Sequence, residues 1–131
     1  KEVLLQMHGQ SCPLAANRRM MEELLYNLVD NAIRYNRNGG QVEVEIGQQK
    51  EFAIVKVADT GRGIPNKDQQ RVFERFYRVD QSRAKETGGS GLGLSIVKHV
   101  AECHNAEIVL QSTENVGTTI TVKIPLIDEM I

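Results

Sequence analysis

Asn27-Leu-Val-Asp-Asn31-Ala-Ile-Arg-Tyr35 closes the longest helical pattern of the chain. At about 100° per residue, Met21, Leu24, Leu25, Leu28, Val29, Ala32 and Ile33 fill one broad apolar arc. Asn17 stands where a cap is needed, so the pattern predicts a helix from Asn17 to about Tyr35. Asn27, Asn31 and Arg34 fall on the edge of the arc, with Tyr35 just inside it. An arc that wide must be buried against a second layer of structure.

The flanking sequence supplies that layer. Glu2 to His8 reads as a strand that leads into a loop around Gly9 to Pro13. After Asn38-Gly39-Gly40, Val42, Val44 and Ile46 alternate with Glu43 and Glu45, the pattern of a half-buried sheet face. Gln48 to Lys50 is the expected turn into a second strand, Glu51 to Ala58. Asn66 is expected to cap a short helix through Val72, and Val79 to Gly89 reads as a polar loop. Leu92 to about Cys103 forms another helix with Leu94, Val97 and Ala101 on one side. Two strands follow, Glu107 to Ser112 and Thr118 to Pro125. The expected class is α+β, a two-layer α/β sandwich with helices on one face of a mixed, largely antiparallel sheet.

Bulk properties narrow the function. The 131 residues are 40% hydrophobic and 25% charged, as in one ordinary globular domain. A net charge of -1 gives no global reason to expect nucleic acid or an acidic membrane as partner. Cys12 and Cys103 lie far apart without a metal-ligand pattern, so reduced thiols in a cytosolic setting are expected. No apolar run approaches the roughly 18 residues that span a bilayer. The chain does not begin with Met and reads as a single domain, residues 1–131, excised from a larger parent.

Four stretches carry chemistry. Asn27 and Asn31, one helical turn apart, project on the same side, and an amide oxygen is a hard neutral ligand suited to Mg²⁺. Arg34 and Tyr35 are within reach of phosphate oxygens. Asp59, after a strand and before Gly61 and Gly63, offers a carboxylate to an exocyclic amine, which adenine has and guanine lacks at its 6 position. Gly89, Gly91 and Gly93 precede and open a helix, whose N-terminus is a ready anion site. Arg75, Arg78, Arg83 and Lys85 put positive charge in or beside the loop before it.

Each stretch alone also fits a plainer role: a helix edge, an Asx turn, a hinge, a solvated loop. Asp59-Thr60-Gly61 also spells the aspartic-protease triplet, but two substantial helices do not suit an all-β protease. Neither a Walker sequence nor a dinucleotide GxGxxG after a strand is present. His8, His99 and His104 have no partner at metal-ligand or nucleophile spacing.

In this order, Asn27-Leu-Val-Asp-Asn31-Ala, Asp59-Thr-Gly61-Arg-Gly63-Ile-Pro65, Phe73-Glu-Arg-Phe-Tyr-Arg78 and Gly89-Ser-Gly91-Leu-Gly93-Leu94 resemble the catalytic ATP-binding domain of bacterial sensor histidine kinases. That domain has the Bergerat fold of the superfamily shared with gyrase, Hsp90 and the mismatch-repair ATPases. The resemblance covers nearly the whole chain and implies ATP between the helical layer and a flexible lid. It makes Asn31 the principal Mg²⁺ ligand, with Asn27 supporting metal or phosphates. It gives Arg34, Tyr35, Tyr77 and Arg78 to the phosphates or ribose and Asp59 to the adenine amine. Gly61, Gly63 and Ile64 would shape the adenine pocket. Gly89, Gly91, Leu92, Gly93 and Leu94 would anchor the end of the lid, and Thr118 would support adenine through water.

Members that hydrolyse ATP carry Glu one turn before the metal-binding Asn. Here that position is Asn27, and Glu23 lies a further turn away. The resemblance therefore implies phosphoryl transfer to a histidine on a separate dimerisation domain, with a response regulator as indirect partner. His8, His99 and His104 lack the acceptor context, so ATP binding without efficient self-phosphorylation is expected. The domain would be cytoplasmic, without nucleic-acid or direct membrane contact, in a parent sensor kinase at the plasma membrane. A non-catalytic ATP-sensing module that regulates a partner protein is the alternative.

Overall fold

Strict alternation is what assembles the sheet. The computed structural model describes residues 3–9, 17–77 and 92–126. Among these described residues lie five strands and two α-helices: Val3–Gly9 (β1), Arg18–Arg34 (α1), Gly40–Gln49 (β2), Phe52–Asp59 (β3), Gly93–Cys103 (α2), Glu107–Thr113 (β4) and Gly117–Pro125 (β5). The strand order is β1-β2-β3-β5-β4, with β1 parallel to β2 and every other pair antiparallel. Val42 and Val44 are buried while Glu43 and Glu45 are exposed, and Ile120, Val122 and Ile124 repeat the pattern on β5.

The buried sheet face meets both helices. Leu24, Leu28 and Ala32 recur every fourth residue along α1 and are fully buried. Val97 and Val100 of α2 complete the same cluster with Val57 and Val122, and Ala101 beside them is buried too. The helices pack on each other, α1 also on β2 and β3 and α2 on β4. Leu24 or Leu28 cut back to Ala would leave a cavity costing roughly 2–5 kcal/mol. This is the expected two-layer α+β arrangement. Among the described residues no helix is long and apolar enough to cross a membrane.

Asn17 caps α1 as expected, its side-chain oxygen accepting the Met20 N–H at 3.1 Å. Two expected strand bounds are corrected. The β2–β3 ladder continues to the pair Gln49 and Phe52, so the turn is Lys50-Glu51 alone, with Lys50 left-handed at φ 56°. The ladder also extends past Ala58, which makes Asp59 the last strand residue rather than the first loop residue.

The helix expected over residues 66–72 is instead a single 3-10 turn, Asn66–Asp68, followed by further turns. Its backbone bonds step by three residues, from Asp68 to Pro65, Arg71 to Asp68, Glu74 to Arg71 and Tyr77 to Glu74. Pro65 holds the cap position without a side-chain bond, and the Asn66 oxygen is taken by the Gln69 amide. The segment has too few apolar residues for a helical stripe, and only Asp68 and Val72 are buried. The loop expected at residues 79–89 lies outside the described residues.

Candidate functional site

The site grows from the end of β3 and the middle of α1. Asp59 pairs with Val42 on one side and Thr118 on the other, so its backbone is fixed by two ladders. Its Oδ1 accepts the Gly61 N–H at 2.8 Å, and the Thr118 backbone N–H also bonds the carboxylate. Burial raises the Asp59 pKa above its ordinary value, and those two N–H bonds partly offset the rise. A mostly buried acceptor at a strand end is suited to reading a donor on a ligand edge.

The loop after Asp59 is stitched to α1. The Arg62 N–H donates to the Tyr35 carbonyl at 3.2 Å, and the Arg62 guanidinium lies 5.1 Å from the Tyr35 ring centre. A side chain at Gly61 would overlap the Tyr35 carbonyl, and one at Gly63, with φ 69°, would overlap the Thr113 carbonyl. Both glycines are therefore required by close approach of the protein's own backbone. Ile64 donates its N–H to the Ser112 hydroxyl at 2.8 Å, which draws the loop onto β4.

On α1, the Asn27 amide nitrogen donates to the Glu23 carbonyl at 2.7 Å, which turns its oxygen outward. That oxygen faces Gly93, where a Cβ would stand 3.4 Å away. The N-terminus of α2 follows directly. Leu92 provides no side-chain cap there, and the first turn has no acidic residue. Asn31 is four residues from Asn27 and four from Tyr35, between the α2 contact and the Asp59 loop. An amide oxygen beside a helix N-terminus suits a cation paired with phosphate oxygens.

The other described residues of the expected set meet partners within the protein. Arg34 bonds Asp30 through Nε at 2.7 Å, a contact that raises its pKa further. Tyr77 donates its hydroxyl to Asp68 and has the Arg71 guanidinium 4.6 Å from its ring centre. Leu94 packs against the core cluster, and Thr118 is 7% exposed, its hydroxyl 2.7 Å from that of Ser112. Arg78, Gly89 and Gly91 lie outside the described residues.

Several organising residues escaped the sequence reading. Arg37 donates to the carbonyls of Thr60 at 2.8 Å, Gly61 at 3.1 Å and Asn115 at 3.0 Å, tying the Asp59 loop to the β4–β5 turn. Asn36, buried, bonds the Gln41 carbonyl and fills the space where Gly40 has no side chain. Gln69 donates to the carbonyls of Ile64 and Ser112. Only the Gly39-Gly40 pair gave a local hint of such crowding.

The family model described as histidine kinase-, DNA gyrase B-, and HSP90-like ATPase matches residues 16–128. The chain belongs to this family. Within this histidine kinase-like ATPase family, it is 41% identical over 109 residues to the sensor histidine kinase WalK of Bacillus subtilis. It is 50% identical over 99 residues to the sensor-like histidine kinase SenX3 of Mycolicibacterium smegmatis. Those matches cover 82% and 76% of this chain but 18% and 26% of the relatives. The chain thus spans about a quarter or less of their length. The solved structure of the mycobacterial sensor histidine kinase MprB superposes with a TM-score of 0.81 at 27% identity, over 95% of this chain and 84% of that one. The protein is therefore a histidine kinase-type ATP-binding domain.

Proposed function

We propose that this domain binds Mg²⁺-ATP and gives the γ-phosphoryl group to a histidine on a separate dimerisation domain of the same kinase. The approach of the Asn27 oxygen to Gly93, the first residue of α2, is the observation that carries the reading. Asn31 would hold the metal, with Asn27 supporting it. The metal, when bound, would neutralise phosphate charge. Phosphoryl transfer is mostly positioning and electrostatics, so the acceptor can come from outside. Asp59, Gly61, Gly63, Ile64 and Thr118 would hold adenine, while Arg34, Tyr35, Tyr77 and Arg78 would serve phosphates or ribose. Gly89, Gly91, Leu92, Gly93 and Leu94 would border the phosphates.

Asn27 stands where a hydrolytic relative would place a general base, so water is left unactivated. The domain would work as one unit within a membrane-associated sensor kinase, with a response regulator downstream. Mixing the chain with the helical phosphoacceptor domain and γ-labelled ATP tests the reading. Acid-labile phosphohistidine should appear on the helical domain only. Label on a histidine of this chain, at a rate indifferent to the added domain, would overturn it.

A further inference from the structure

Ser112 lies on β4 directly across from Thr118 in the β4–β5 register. Its hydroxyl meets three groups: the Ile64 N–H at 2.8 Å, the Gly117 carbonyl at 3.1 Å and the Thr118 hydroxyl at 2.7 Å. A serine hydroxyl has one proton and two lone pairs. The Gly117 carbonyl can only accept, so it takes the serine proton. The Ile64 amide can only donate, so it takes one lone pair. The second lone pair faces Thr118, which must then donate.

We propose that Ser112 fixes the buried Thr118 hydroxyl as an acceptor toward the bound base, and so acts as a specificity-determining positioning residue for adenine over guanine. With its proton spent on Ser112, Thr118 offers only lone pairs to the site. Asp59, its register partner, offers a carboxylate beside it. Two adjacent acceptors suit the exocyclic amine of adenine. The O6 of guanine would face them as a third acceptor, and a buried polar mismatch of that kind discriminates strongly. A water between Thr118, Asp59 and the base would donate its two protons to these acceptors and turn only lone pairs to the ligand, so it would preserve the mismatch. Without the Ser112 hydroxyl, Thr118 is free to rotate and donate to O6.

The inference rests on the ATP-binding reading above, and the test separates the two. ATP and GTP are titrated against the unmodified chain, Ser112→Ala, Thr118→Val and the double variant, with thermal melting to confirm folding. Ser112→Ala should narrow the ATP-to-GTP preference by about tenfold. In the Thr118→Val background, with no hydroxyl to orient, the same substitution should leave the preference unchanged. A folded Ser112→Ala that keeps the unmodified preference overturns the proposal, as does an equal effect in both backgrounds. If the unmodified chain binds neither nucleotide, or both equally, the adenine reading itself falls. Should Ser112→Ala not fold, Ser112→Cys, a near-isostere with a weak hydrogen-bonding group, gives the same readout.

Discussion

The Asn27 side chain spends its nitrogen on Glu23, which leaves its oxygen facing Gly93 across a gap that a single methyl group would fill. Gly93 has ordinary helical geometry, so Ala there is free of backbone strain. Gly93→Ala should hold or raise stability, by up to about 1 kcal/mol, because it lowers unfolded-chain entropy. The same methyl should weaken Mg²⁺-dependent ATP binding severalfold. Isothermal titration beside a melting curve separates the effects, and unchanged ATP affinity would remove Asn27 from the site.

Asp59 predicts a pH dependence of known sign. Burial raises its folded pKa above the ordinary 3.8. In the interval between those two values the native state holds more proton than the unfolded chain, so the ionised carboxylate costs stability as pH rises through it. ATP binding should run the other way, because a protonated Asp59 no longer offers two acceptor oxygens. Affinity should fall as pH drops through the raised value, and Asp59→Asn should flatten the curve while reducing adenine preference about tenfold. A slope that survives in Asp59→Asn would assign the titration to another group.

Arg37 reaches three carbonyls on two loops, which a point charge cannot reproduce. Arg37→Ala should lower stability by roughly 1–2 kcal/mol, and Arg37→Lys should recover little of it. Because the clamped loop carries Asp59 and Gly61, ATP affinity should drop with it. Full recovery by Lys in urea unfolding would show that charge alone matters.

The parts that were legible in the sequence are those governed by local periodicity. The period of α1, its Asn17 cap and the alternation of β2 and β5 all follow from neighbouring residues. The stretch from Asn66 to Val72 did not, because its conformation answers to Asp68, held by Tyr77, and to Gln69, drawn to β4. Gly61 and Gly63 were legible as glycines that something must approach. What approaches them, the carbonyls of Tyr35 and Thr113, depends on contacts distant in sequence. Arg37 and Ser112 leave no local signature at all, since their partners assemble only when the sheet closes.

Asp68 and Tyr77 give the last prediction. Asp68 is buried, one oxygen bonded by the Tyr77 hydroxyl and the other without a partner among the described residues. The bond to Asp68 raises the Tyr77 pKa above the ordinary phenol value of 10.0. A raised folded value means stability that is complete below pH 10.0 and lost as pH climbs through the folded pKa. Tyr77→Phe should lower the neutral-pH melting temperature and also remove this alkaline loss, and the double change with Asp68→Asn should cost less than the two single changes added. Strict additivity, or an alkaline limb intact in Tyr77→Phe, would show that the two residues are not coupled.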